Sequence, residues 1–419
     1  MVKTEWVETT IGALVNSKQI SIQTGPFGTV LSASKYVEHG IPVISVREIR
    51  QGRIEIFDET PAVSDLTYCR LSQFDLKAYD LVFARKGSVD RSALIPEKAP
   101  KLFLGSDGIR LRFSDPTLDQ IVFRCVQSPQ VRRFLTVSSY GSTMAGLNET
   151  IISSIPISVP VDQDEQQRIV QALSDMDELI TSLERLITKK KAIKQGAMQE
   201  LLTGKRRLPG FSGGWKTRLF GELFEIYSNN AYTREQLSFG GKIKNIHYGD
   251  ILTKYGEILD GRSAHIPSLE KSLEKKKYSE KTFVQDGDII IADTAEDLTV
   301  GKAVEIINVC GKMLSGQHTF LCRPLIPFAP MYLGYYMNSA DFHDQIVPFV
   351  TGTKVSSINK TALCGLTVRY PDISEQSAIA ETLFNMDKAI LSLEQRLAKA
   401  FQIKQGMMQQ LLTGAIRLV

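Results

Sequence analysis

Residues 193–204 read IKQGAMQELLTG and residues 403–414 read IKQGMMQQLLTG, with ten of twelve positions identical at an offset of 210 residues. In a chain of 419 residues, a repeat of that length and fidelity means two copies of one unit. Whatever the fold, the chain builds it twice. The length also exceeds what one hydrophobic core organises, so at least two domains are expected.

Weaker echoes extend the repeat. Trp215 answers Trp6, the run GDIIIA at 287–292 answers DLVFA at 80–84, and Ile358-Asn359-Lys360 answers Leu147-Asn148-Glu149, with the offset drifting between 208 and 211. Glu165-Gln166 returns as Glu375-Gln376, and Met176-Asp177 as Met386-Asp387. The segments before residues 162 and 372 have therefore diverged and taken small insertions, whereas the segments after them have not.

The conserved segments carry a helical seam. Ile169, Leu173, Met176, Ile180, Leu183 and Ile187 are spaced 4, 3, 4, 3, 4, and so are Ile379, Leu383, Met386, Ile390, Leu393 and Leu397. No proline lies between Val161 and Leu208, so one helix of about 40 residues and about 60 Å is expected. Thr203-Gly204 supplies a stop, and the KRRLPGFSGGW run after it has the composition of a linker. An apolar seam needs a partner, and the other copy is the nearest one.

Chain geometry sets the direction of that pairing. The roughly 165 residues between the helices would form a domain of about 40 Å diameter. Parallel helices would require it to carry the chain back about 60 Å, which antiparallel helices do not. The expectation is an α+β protein: two globular domains at opposite ends of an antiparallel two-helix coiled coil, related by a pseudo-twofold axis. The boundaries are residues 1–161 and 215–371 for the globular domains, 162–204 and 372–414 for the helices, 205–214 for the linker and 415–419 for a tail.

Within the first globular domain, short apolar runs at 41–46, 80–84 and 155–161 between turn signals read as strands. Residues 116–139 read as one or two helices interrupted at Pro129.

Composition narrows the chemistry. Fifty Lys and Arg against 46 Asp and Glu give a net charge of only +4, so any basic surface is local. Five cysteines without a C-x-x-C pair indicate neither a disulfide framework nor a zinc ribbon. The five histidines show no ligand spacing, so no metal is expected, and no cofactor. The N-terminus MVKTEWVETT has no apolar export segment and no long apolar run follows, so a cytoplasmic location is expected.

Two related domains turned about a pseudo-twofold axis suit a ligand with two-fold pseudo-symmetry, and duplex DNA is the commonest one. Each domain would read a different short sequence, with unread base pairs between them.

With these features the chain resembles the specificity subunit of type I restriction-modification systems, in which two target-recognition domains alternate with two conserved helical regions. The residues that carry the resemblance are the paired IKQG and LLTG segments, each behind an EQ-initiated helix, together with TGPFGT at 24–29, GIPVISVREIRQGRI at 40–54 and GSTMAGLNETIISSIPISVP at 141–160. The second domain keeps the closing pattern at 352–371 but has YSNNAYTR at 227–234 where the first has GPFG.

The resemblance implies a non-catalytic reader of a bipartite DNA site. Its partners would be two adenine methyltransferase subunits and, for cleavage, two ATP-dependent translocase and endonuclease subunits. The sequence agrees in lacking a G-x-x-x-x-G-K-[ST] phosphate loop and an N-P-P-Y or D-P-P-Y adenine-methylase signature.

Base and phosphate contacts need Arg, Lys, Asn, Gln and hydroxyl side chains. The candidates are Arg47, Arg50, Arg53, Arg85, Lys86, Arg91, Tyr140, Gly141 and Ser142 in the first domain, and Lys242, Lys244, Asn245, His247, Tyr248, Thr353 and Lys354 in the second. For each, the alternative is a solvated surface residue.

Lys189-Lys190-Lys191 and Lys205-Arg206-Arg207 are either phosphate contacts or cations favoured near a helix C-terminus. Lys275-Lys276-Lys277 reads as a charged loop, and Asp293, Glu296 and Asp297 as a turn or as acceptors for cytosine amino groups. Lys194, Gln195, Gln199 and Thr203, repeated as Lys404, Gln405, Gln409 and Thr413, are polar beyond what packing requires, so this face is the candidate methyltransferase dock.

Two other classes compete: a pseudo-dimeric DNA-binding regulator, and a protein scaffold, neither with restriction-modification partners. The antiparallel topology also makes a prediction. It places Met1 near Val419, so a circular permutant joining those termini and opened near Gly210 should fold, which circular dichroism and a cooperative melt will read.

Overall fold

In the computed structural model, residues 6–87, 89–139, 146–227, 229–352 and 355–418 are described. Two long helices dominate: α1, Gln163–Leu201, and α2, Ile373–Leu411. The chain divides into two compact units, Met1–Leu183 with Arg396–Val419, and Glu184–Gln395. Each unit therefore holds one globular part with half of each helix.

In the first unit, Trp6–Thr10 pairs antiparallel with Pro156–Pro160 and brings the globular part back to the start of α1. Two sheets follow. One has the order Ile20–Thr24, Gly108–Phe113, Leu81–Ala84, Ser92–Leu94, all antiparallel. The other runs Tyr36–Val37, Ala62–Val63, Ile41–Ile44, Leu102–Leu104, Asp75–Leu76, with Val43 opposite Phe103 in a parallel pair.

Residues 116–139 form two helices, Pro116–Val126 and Pro129–Ser139. Pro129 opens the second, where its missing N–H costs no bond.

The second unit repeats this plan. Lys216–Leu219 pairs with Thr367–Tyr370. The strands Phe224–Tyr227, Thr319–Pro324, Ile289–Ala292 and Ala303–Ile307 match the first sheet in order, and Ile258–Asp260 extends it. Ile243–Ile246 and Lys312–Ser315 form the matching parallel pair.

Most of the helix seam is buried as its spacing predicts, with Met176, Met386, Leu393 and Leu397 half-buried. In the first unit Ile169 and Leu173 of α1 join Met408 and Leu411 of α2, and Leu412 just beyond it, in one core with the antiparallel sheet. In the second, Ile379 and Leu383 of α2 join Met198 and Leu201 of α1, and Leu202 just beyond it. In both units the two helix segments run antiparallel. Asp177 meets Lys404 and Glu165 meets Arg417 in one, and Lys194 meets Asp387 and Arg207 meets Glu375 in the other.

The repeated polar residues have matching intrachain tasks. Glu165 and Glu375 are buried and each accepts a bidentate arginine, from Arg417 and Arg207 respectively. The amides of Gln166 and Gln376 donate to the carbonyls of Pro160 and Pro371, at 2.7 and 2.8 Å, which locks strand to helix.

Asp177 takes Lys404 at 2.5 Å and also Arg124, and Asp387 takes Lys194 at 2.7 Å and the Tyr335 hydroxyl at 2.6 Å. Gly204 and Gly414 end their helices at φ of 70° and 69°, the left-handed region where a β-carbon is strained. They also lie under the rings of Trp215 and Trp6, 3.1 and 3.0 Å from where that β-carbon would stand. This close approach is why Trp and Thr-Gly recur together. Met1 and Val419 lie outside the described residues.

One buried carboxylate oxygen of the first unit lacks a hydrogen-bond partner among the described residues. Asp119 lies in the first turn of Pro116–Val126, buried, and among the described residues its Oδ1 has no hydrogen-bond partner. Burial pushes its carboxyl up to about 7, with the Asp115 charge adding to the rise and a Gln120 backbone hydrogen bond opposing it.

The unfolded chain ionises near 3.9, so the folded state binds the proton more tightly and loses stability as pH rises from about 4 to 7. Asp119→Asn should therefore be more stable than the parent at pH 8, on the order of 4 kcal/mol, and nearly equal at pH 4. Urea unfolding at the two pH values measures this difference.

Candidate nucleic-acid interface

The strands that carry the candidate site are β1, Leu81–Ala84, and β2, Gly108–Phe113, in the first unit, with β3, Ile289–Ala292, and β4, Thr319–Pro324, as their counterparts in the second. A buried clasp fixes each pair. The Arg112 guanidinium donates Nε and Nη2 to the two carboxylate oxygens of Asp80 at 2.8 and 2.7 Å, and Nη2 also to the Asp75 carbonyl at 3.0 Å.

Arg323 does the same with Asp288 at 2.9 and 2.7 Å and with the Phe283 carbonyl at 2.8 Å. Asp80 and Asp288 in turn accept the N–H of Lys77 and Gln285, which closes the tight turn before the strand. Sequence reading found the strand echo but not this clasp, because aspartate and arginine stand more than 30 residues apart and only the sheet joins them.

Three loops meet where β1 ends. Arg85 N–H donates to the Asp107 carbonyl at 2.8 Å, and the Arg85 carbonyl accepts from Leu147 N–H at 2.7 Å. Thr24 donates its N–H and hydroxyl to Glu149 at 3.0 and 2.6 Å, and Gly25 N–H donates to the Gly108 carbonyl at 3.0 Å. The Arg85 guanidinium lies 4.4 Å from the centre of the exposed Phe27 ring, and Lys86 Nζ pairs with Asp107 at 3.0 Å. The segments 24–29, 85–87 and 146–149 thus form one edge with exposed cationic and aromatic groups.

The second unit forms the same edge with other chemistry. Asp293 N–H donates to the His318 carbonyl at 3.1 Å and the Asp293 carbonyl accepts from Ile358 N–H at 3.0 Å. Asn229, in the stretch that departs from GPFG, donates its amide to the Thr319 carbonyl at 2.6 Å. A side chain thereby replaces the backbone donor that Gly25 supplies. His318 Nδ1 lies 3.5 Å from the Asp293 carboxylate and 3.4 Å from the Thr294 hydroxyl, with the Tyr248 ring edge-on at 5.3 Å.

The other candidates divide by position. Arg47 and Arg50 share one turn with Arg53, where they pair with Glu59 and Glu55 and flank Phe57. The Arg91 carbonyl accepts from Ala84 N–H in the hairpin after β1. Lys242 is exposed, whereas Lys244 Nζ donates to the carbonyls of Gly261 and Ser263 at 2.6 and 3.1 Å.

Asn245 is buried and accepts from Asn230, and His247 caps the helix Tyr248–Thr253, with burial lowering its pKa. These three side chains are therefore engaged inside the unit. Tyr140, Gly141, Ser142, Thr353 and Lys354 lie outside the described residues.

The candidate dock sorts similarly. Lys194 pairs with Asp387 and Glu257, Lys404 with Asp177, and the hydroxyls of Thr203 and Thr413 donate to the carbonyls of Gln199 and Gln409. Gln195, Gln199, Gln405 and Gln409 are exposed. So are Ile193 and Ile403, at 46% each.

Between them sit Gly196 and Gly406, where an added β-carbon would meet no atom within 4 Å among the described residues. Glycine inside a helix costs about 1 kcal/mol against alanine. Nothing described inside the chain requires it at these positions.

Of the charge runs, Lys191 pairs with Glu394, Arg206 with Glu200, and Arg207 with Glu375. No helix is long and apolar enough to cross a membrane among the described residues.

The clasp predicts that Asp80→Ala and Asp288→Ala each cost about 3 kcal/mol, because the partnering arginine loses a buried carboxylate. Denaturant midpoints of the two variants check it.

Comparisons with known proteins accord with this architecture. The family model described as "Type I restriction modification DNA specificity domain" matches twice, at residues 5–195 and 212–401. The type I restriction enzyme MjaVIII specificity subunit of Methanocaldococcus jannaschii is 23% identical over 352 residues, 76% of this chain and 77% of that protein.

The crystal structure of a type I restriction-modification S subunit from M. genitalium superposes with a TM-score of 0.56 at 13% identity, covering 98% of this chain and 97% of that one. A chain from a structure titled for complex assembly and conformational transition of the type I system gives 0.57 at 15% identity, covering 97% of each chain.

Proposed function

Since the chain belongs to the type I restriction-modification DNA specificity family, whose members are non-catalytic subunits that recognise DNA sequence, we propose that it reads a bipartite, gapped site. One half is read by the domain at residues 1–161 and the other by the domain at 215–371. The helical regions at 162–204 and 372–414 set the gap.

The observation that supports this most directly is that one backbone edge is built twice with different side chains. Arg85, Lys86 and Phe27 line it in the first unit, and Asp293, Thr294 and His318 in the second. One scaffold carrying two chemistries suits two unlike half-sites.

The partners proposed are two adenine methyltransferase subunits, with two translocase and endonuclease subunits in the complete assembly, acting in the cytoplasm. The dock we favour is the face carrying Ile193, Gln195, Gly196 and Gln199 and its repeat at Ile403, Gln405, Gly406 and Gln409. It is kept in both copies, carries exposed Ile and Gln side chains, and bears a helical glycine at which an added β-carbon would meet no described atom within 4 Å outside its own helix backbone. A bulky side chain from a partner fits against such a position.

Mapping adenine methylation in a host with the chain and its partners, against a deletion, should give one two-part site with unread base pairs between the halves. A contiguous site overturns the reading. Gly196→Trp with Gly406→Trp should leave the melt unchanged or raised, since both positions face open space. It should also abolish co-purification of the methyltransferase and lower methylation at least tenfold, an affinity loss of about 1.4 kcal/mol. DNA binding to the gapped site without any co-purifying enzyme would instead favour the regulator.

A further inference from the structure

Arg85 and Asp293 occupy the same place in the two units. Each is the first residue after the equivalent strand, β1 or β3. Each donates its N–H to a carbonyl in the turn before or at the start of the neighbouring strand, Asp107 for one and His318 for the other. Each accepts at its own carbonyl from the residue that opens the closing segment, Leu147 or Ile358.

The turn itself is equivalent in both units. Gly105 N–H donates to the Ile44 carbonyl and Gly316 N–H to the Ile246 carbonyl, both at 2.8 Å. Asp107 and His318 each stand two residues beyond that glycine.

On this common backbone the side-chain polarity is inverted. The first unit has cations at the strand end, Arg85 over the Phe27 ring and Lys86 paired with the anion Asp107 on the turn. The second has the anion Asp293 and the hydroxyl of Thr294 at the strand end, facing His318.

Packing alone does not call for the inversion, because the same backbone bonds hold both positions and the Arg85 side chain adds only a 3.4 Å bond from Nε to the Leu147 carbonyl. His318 also adopts a φ of 56°, uncommon for a residue with a β-carbon. Such conformations persist where the surroundings hold them and cluster at binding sites. The Arg85 guanidinium lies over the exposed Phe27 ring, 4.4 Å from its centre, and His318 stands edge-on to Tyr248, so both groups are pre-oriented at a partly exposed rim.

We propose that Arg85 and Asp293 are the paired specificity positions of the two half-sites, reading opposite hydrogen-bonding classes of base edge in the major groove. Arg85 presents donors and takes guanine, whose O6 and N7 both accept. Asp293 presents acceptors and takes a base with an exocyclic amino group, cytosine N4 or adenine N6. His318 and Thr294 orient the carboxylate and supply donors beside it, as Asp107 orients Lys86. This inference rests on the bipartite reading above and adds to it which atom class each half selects.

The test is selection of a randomised duplex library by the full chain with its methyltransferase partner, sequenced for parent and variants. Arg85→Ala should lose its preference for guanine at one base pair of one half-site, by about tenfold or more, with the other half unchanged. Asp293→Ala should lose the preference for an amino-bearing base at one position of the other half only.

Asp293→Arg should switch that position towards guanine. The backbone bonds of both residues stay in these variants, while Arg85→Ala also removes the 3.4 Å bond from Arg85 Nε to the Leu147 carbonyl and Asp293→Ala the bond from the Thr294 hydroxyl. Equal thermal melts of parent and variants will establish that the edge is retained.

Uniform weakening with base preferences intact, or preferences altered in both halves by one variant, overturns the proposal. A parent that selects a two-part site insensitive to all three variants overturns it alone. A parent that selects no two-part site overturns the bipartite reading and this inference with it.

Discussion

A carboxylate buried at the start of each long helix, bound by an arginine from just beyond the other helix, is the interaction on which both units depend. Glu165 and Glu375 lose nearly all contact with water, and a charge in that state is strongly destabilising unless its partner arrives in good geometry. Arg417 and Arg207 supply that partner bidentately, from 252 and 168 residues away in sequence. A helix slipped by one turn would strand the carboxylate. The apolar seam supplies adhesion without register, and the charged pairs supply register. The pairing of Asp177 with Lys404 and of Asp387 with Lys194 repeats the condition farther along each helix.

With register set this way, the globular parts are free to diverge. The seam, the buried glutamates, the glutamine locks and the tryptophan over the terminal glycine all lie on or beside the helices, and all are kept in both copies. The sheets need only the arginine and aspartate clasp and an apolar interior, which tolerate different loops above them. That division explains how Gly25 in one unit and Asn229 in the other reach the same carbonyl by different means. It also explains how one strand end carries an arginine and its counterpart an aspartate.

The repeated polar residues of the helices turn out to be of two kinds. Lysine and threonine of the IKQG and LLTG segments bond within the chain. The isoleucine, glutamines and mid-helix glycine of the same segments face outward. Repetition by itself does not separate the two, since folding and association preserve residues alike. Side-chain partners do separate them, and those partners lie on the other helix or in a sheet, far along the chain.

The sequence by itself determined the duplication, the two long helices with their apolar seams, their stop at Thr-Gly, the α+β character of what lies between them, and the family. Each of these is written in local periodicity or in identity at a constant offset, which need no knowledge of distant contacts. Only the tertiary structure decided that Lys244, Asn245 and His247 are engaged within their unit, while Arg85 and Asp293 stand at one equivalent rim. The reason is physical. Burial and juxtaposition in a sheet are set by strand pairing across tens of residues, and a side chain's type does not reveal whether its partner is another part of the chain or a ligand.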